Sequence, residues 1–148
     1  MRPAYGLPYP APMDFDGRIV SQPVAAPAAR VYAFARRMDA LPRWASGLAR
    51  GVHEEGGRWF AASPMGRVEV AMAADNPHGV LDHDVTLPDG RVAHNAFRVT
   101  PLGPDASLLS FVVLRPAGAD DAAFEADVAH VRRDLRALAG LLESGTDA

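Results

Sequence analysis

Residues 120–143 read DDAAFEADVAHVRRDLRALAGLLE. Phe124, Val128, Val131, Leu135, Leu138 and Leu142 recur at spacings of 4, 3, 4, 3 and 4, which draws one apolar stripe along a long helix. Asp120 and Asp121 stand at its start, where unpaired backbone N–H groups favour negative charge. Gly145 follows its expected end. Asp127, Arg132, Arg133, Asp134 and Arg136 supply a solvated face with helical ion pairs. A stripe of this length needs an apolar surface to cover, and most of the chain before it reads as strands.

The clearest strands flank Pro88-Asp89-Gly90. Proline presets the first turn position and glycine accepts positive φ, so this tripeptide closes a hairpin between residues 80–87 and 91–100. A three-residue loop sets Leu87 opposite Arg91. The same register then pairs Val85 with Ala93, His83 with Asn95 and Leu81 with Phe97 on one face. Asp84 faces His94, and Asp82 faces Ala96, on the other. Residues 67–73 alternate with Val68, Val70 and Met72 on the buried side. Gly56-Gly57 separates two further strands within 49–63, and residues 106–114 form an apolar strand with Leu109, Phe111 and Val113 inward. Residues 14–23 read as a first strand, followed by a helix over 28–38 with Val31, Phe34, Ala35 and Met38 on one face. Pro42 interrupts it, and 41–45 form a short turn. The order of strand, helix, antiparallel strands and long helix makes an α+β domain in which a curved antiparallel sheet grips the C-terminal helix.

Composition narrows the function. The chain has 148 residues and a net charge of −3, enough for one domain with its own core and without the basic face of a nucleic-acid binder. There is no cysteine, which removes disulfides and thiolate metal sites. All 15 basic residues are arginine, so no lysine Schiff base can form; this usage, with the abundant alanine, points to a bacterial genome of high GC content. No apolar run approaches the roughly 20 residues of a membrane span. The Pro-rich residues 1–13 lack a signal-peptide core and read as a flexible arm, so a cytoplasmic location is expected. The layout expected is this arm, a domain over 14–143 and a disordered tail over 144–148. His53, His78, His83, His94 and His130 are scattered without metal-binding spacing, and no phosphate-binding loop or nucleophile elbow is present, so neither metal nor cofactor is expected.

Several stretches carry a resemblance: VAAPAARVYAF over 24–34, LPRWA over 41–45, GVLDH over 79–83, Arg98-Val99 and the helix over 127–138. The chain resembles the START-like, or SRPBCC, superfamily of helix-grip proteins, which includes polyketide cyclase/dehydrase-like members. That resemblance implies a sheet of about seven strands, two short helices after the first strand, and a deep cavity under the last helix. It also implies a small hydrophobic or aromatic ligand.

Within that frame His83 and Asn95 are convergent polar groups on an otherwise apolar face. His83 is the candidate proton-transfer group and Asn95 a carbonyl partner; the plainer alternative is a structural hydrogen bond between strands. Trp44 and Trp59 are candidate aromatic walls, or simply core. Met72, Phe97, Phe111, Phe124, Val128 and Val131 complete the expected lining. Three readings stay open: a binding protein for an apolar ligand, a cyclase/dehydrase-like enzyme using His83, and an interaction module with a filled pocket. A homodimer is the base-rate expectation for its assembly.

Overall fold

The computed structural model describes residues 16–148. Strand β1 (Gly17–Val24) leads through Pro27 into helix α1 (Ala28–Ala35). The Pro27 carbonyl accepts the first helical N–H groups, from Arg30 and Val31, at 3.0 and 3.1 Å. The helix expected to reach Met38 stops at Ala35. Pro42 has no N–H to give and its ring would meet the Met38 carbonyl in a continued α-helix. The chain instead extends at Arg37 and re-coils as a 3-10 turn over Met38–Arg43, with a second over Ser46–Leu48.

A meander follows: β2 (Val52–Glu55), β3 (Arg58–Ser63), β4 (Gly66–Met72), β5 (His83–Thr86) and β6 (Val92–Asn95), all antiparallel neighbours in one five-stranded sheet. The hairpin at Pro88-Asp89-Gly90 has the expected register, with His83 opposite Asn95, Asp84 opposite His94 and Val85 opposite Ala93. Leu87 donates its N–H to the Arg91 carbonyl at 2.8 Å, and Gly90 holds φ at +87°. The strand read as continuous over 91–100 breaks at Ala96. Its second half, β7 (Phe97–Pro101), belongs to another sheet with β8 (Ser107–Leu114) and β1, in the order β1-β8-β7. One run of chain therefore serves both sheets, and counting β6 and β7 together restores the seven strands expected.

Two interactions fix the break. The Ala96 carbonyl turns to accept the Val112 N–H at 3.0 Å. Asp82 accepts the Phe97 N–H at 2.9 Å and also holds Arg98, with 3.0 Å between Oδ2 and Nη2. Asp82 is thus a clasp between strands, only 17% exposed at its side chain, and not the solvated outer residue expected from simple alternation. Asp84 and His94 do form the outer pair, at 2.6 Å.

Helix α2 (Asp121–Glu143) is capped by the Asp120 carboxylate, which accepts the Ala123 N–H at 2.7 Å. Its stripe packs on β1 and β8. Leu135, Leu138 and Leu142 are buried there with Val20 and Val24 of β1, Leu109 and Val113 of β8, and Val31 and Phe34 of α1. Past α2 the chain returns across α1: Asp147 binds Arg30, and the Thr146 carbonyl accepts from Arg43. Nothing in the sequence pattern points to these contacts.

Candidate functional site

His83 sits in a row across the inner face of the five-stranded sheet, between Met72 of β4 and Asn95 of β6. The face is inner because Met72 shares it with the buried Val68 and Val70, four and two residues before it in β4. His83 Nδ1 lies 2.9 Å from the Leu81 carbonyl. A carbonyl can only accept, so Nδ1 carries the proton and Nε2 keeps a free lone pair. The bond is made two residues back along the same chain segment, and not to Asn95. Burial holds the His83 pKa below the ordinary imidazole value; the Leu81 bond and the Asp82 charge oppose this without cancelling it. The imidazole is neutral at pH 7.

Aromatic rings surround it. Phe111 lies 5.9 Å from His83 and Phe97 6.3 Å, both edge-on, and the two phenyl rings are 5.5 Å apart. Trp44, placed by the end of the first 3-10 turn, packs on Phe97 at 5.9 Å. Trp44 is 7% exposed, and its indole Nε1 is buried with no hydrogen-bond partner among the described residues. Trp44, His83, Phe97 and Phe111 thus form one cluster, bordered by Met72 and Asn95.

The other expected residues are distributed around it. Phe124 and Val128 of α2 are buried and Val131 is half-buried. Arg18 and Arg115 stand over the Phe124 ring at 5.2 and 5.7 Å, which places that ring by the Gly17 end of β1 and the Leu114 end of β8. Trp59 is half-buried in a neighbouring cleft of about 360 Å³ at the Gly57 end of β3, whose lining includes Met72 but not Trp44. Arg36, Met38, Val70 and Met72 share that cleft. Met72 therefore belongs to both places. Helical periodicity sets Met38 on an apolar face but gives no sign that it and Arg36 line this cleft, because it says nothing about which strand end a helix terminus will meet.

One polar group outside the row has the residue types of a hydrolase. Ser46 Oγ donates to Asp134 at 2.7 Å, and His130 Nε2 lies 3.2 Å from the same carboxylate and 3.4 Å from Ser46 Oγ. Serine and histidine both address Asp134, and the same imidazole nitrogen faces both partners. No relay from serine through histidine to aspartate exists, and the trio instead ties α2 to the Ser46–Leu48 turn.

Residues 19–143 match the model of the family described as polyketide cyclase / dehydrase and lipid transport. The chain belongs to this family. Several solved structures also share the fold. An uncharacterised protein from Bacillus thuringiensis superposes with a TM-score of 0.69 at 15% identity, covering 86% of this chain and 98% of that one. A START superfamily protein from Mycobacterium smegmatis gives 0.59 at 17%, covering 88% and 97%. The Zhui aromatase/cyclase from Streptomyces sp. R1128 gives 0.61 at 19%, covering 87% and 94%. At such identities the likeness is one of fold, the helix-grip arrangement of sheets around a long C-terminal helix. No curated protein matches in sequence. Among the described residues no helix is long and apolar enough to cross a membrane.

Proposed function

We propose that this polyketide cyclase/dehydrase family member binds a small hydrophobic or aromatic molecule between the inner face of the five-stranded sheet and α2. Trp44, Met72, His83, Asn95, Phe97 and Phe111 form the wall, Phe124, Val128 and Val131 the roof, and Trp59 the rim. The observation that carries this reading is the indole N–H of Trp44, buried against Phe97 without an acceptor among the described residues. A buried donor left unpaired costs roughly 1–3 kcal/mol, which an oxygen of a bound ligand would remove. The family's description, and the aromatase/cyclase of the same fold, support a ligand of this chemical class. Native mass spectrometry of protein purified from a bacterial host tests it. A co-purifying apolar molecule is expected, with reduced occupancy in Trp44→Phe, which keeps an aromatic ring but removes the donor. Equal occupancy in that variant would refute the role of Trp44.

A second reading is favoured by the protonation state of His83. Its free Nε2 is a base in an apolar setting, suited to taking a proton from carbon beside a ligand carbonyl, while the Asn95 amide donates to the developing oxyanion. In this reading the protein is a cyclase/dehydrase-like enzyme. His83→Ala is then expected to keep the fold and abolish turnover of the co-purified molecule or its precursor; full turnover would remove the assignment.

A further inference from the structure

The cleft at the Gly57 end of β3 has a volume of about 360 Å³ and a lining of mixed character. Met38, Trp59, Val70 and Met72 give it an apolar floor. Arg36, Arg58 and Glu69 supply the charge. Arg58 grips Glu69 through two nitrogens, Nη2 at 3.0 Å and Nε closer still, so that pair neutralises itself.

Arg36 is in a different position. Its Nε is buried and makes no hydrogen bond among the described residues. The Asp75 carboxylate oxygen facing it lies 3.7 Å away, beyond hydrogen-bond reach, and already accepts the Tyr32 hydroxyl at 2.9 Å. Asp75 is 73% exposed at its side chain, so water screens most of its attraction. The guanidinium otherwise rests over the Tyr32 ring, 5.8 Å from its centroid. The cleft thus holds a cation whose donors are under-used beside an indole and two thioethers. A guanidinium is built to receive two oxygens of one anion in parallel.

We infer that the ligand of this protein is an amphiphilic acid, an apolar body carrying one carboxylate-like group, and that Arg36 receives that group at this cleft while Trp59, Met38 and Met72 contact the body. The inference rests on the pocket reading above, to which the cleft is joined through Met72, the cross-strand neighbour of His83.

Two probes with one hydrocarbon skeleton separate the ideas: 1-anilinonaphthalene-8-sulfonate, which is anionic, and N-phenyl-1-naphthylamine, which is neutral. Each is titrated by fluorescence into the full chain. Wild type, Arg36→Gln, Arg36→Lys and, as a control on exposed α2, Arg132→Gln are compared, with thermal melts to establish folding. Arg36→Gln is expected to weaken the anionic probe about tenfold, the size of one charge-assisted hydrogen bond. The neutral probe should change less than about twofold, because its contacts are the apolar ones. Arg36→Lys, which keeps the charge without the fork, should fall between wild type and Arg36→Gln, and Arg132→Gln should match wild type. If both probes bind and Arg36→Gln treats them alike, the anion site is refuted and the pocket stands. If neither probe binds wild type, the pocket reading fails with it. An affinity that drops as protein concentration rises would assign the cleft to a second copy of the chain and overturn the proposal.

Discussion

Truncating Asp82 to alanine should loosen the join between the two sheets. The Phe97 amide it serves belongs to a residue with 0% exposure, so no water replaces the lost acceptor. An unpaired buried N–H costs about 1–3 kcal/mol, and because the lost acceptor is a charged carboxylate the upper part of that range applies, about 2–3 kcal/mol. The Arg98 contact adds little, being half exposed to water. For a domain of this size about 3–4 °C is lost per kcal/mol, so the midpoint of thermal unfolding should fall by about 6–12 °C. Asp82→Asn keeps an oxygen for Phe97 and should cost about 1 kcal/mol. The pH dependence has a definite sign. Arg98 first, then the Phe97 N–H, hold the Asp82 carboxyl below its usual range. Its contribution is therefore complete above the unfolded-state value of about 3.9 and is lost as pH falls through the lower folded value. The gap between wild type and Asp82→Ala, followed by circular dichroism, should stay constant from neutral pH to the upper carboxylate range and close only in acid. A loss below about 0.5 kcal/mol, which is less than the weakest ordinary hydrogen bond, or an asparagine variant as damaged as the alanine one, would refute the clasp.

His83 makes its own pH signature. Its folded pKa lies below the unfolded value of about 6.5, so stability should decline as pH falls below that value, and His83→Phe should remove this part of the slope in matched urea titrations. Gly79 holds φ at +71°, and a β-carbon there would stand 2.3 Å from the Val99 carbonyl oxygen. Gly79→Ala should cost about 2 kcal/mol or more by chemical denaturation, and an unchanged midpoint would contradict the close approach.

Local chemistry explains what was legible in the sequence. Pro88-Asp89-Gly90 has few conformations to choose from, and once the turn is set every pair from Leu87–Arg91 to His83–Asn95 follows by counting. The α2 stripe was equally open to reading, since six apolar residues at helical spacing admit one partner surface. The break at Ala96 was hidden because alternation runs through it undisturbed: Ala93, Asn95, Phe97 and Val99 keep one parity. What turns the chain there is distant, the Val112 N–H and the Asp82 carboxylate. The same limit applies to the site. The hairpin register already sets His83 and Phe97 on one face, whereas Trp44 and Phe111 reach them only through a 3-10 turn and a strand of the other sheet. Nothing in the sequence marks Arg36 and Met38 as cleft residues, because the cleft they line exists only where a helix end passes over a strand end.

The pairing of β1 with β8 has a consequence for how the protein is made. Gly17 meets Leu114 and Val24 meets Ser107, so the first strand of the described chain has its only sheet partner near the other end. The meander from β2 to β6 joins neighbours and can assemble as it leaves the ribosome. β1 cannot: Val20 and Val24, buried in the finished fold, stay uncovered until β8 and then α2 have been synthesised. The nascent chain thus carries a β-branched strand without its sheet partner for as long as β2 to β7 are being made, and release in that interval would leave an unpaired edge open to aggregation.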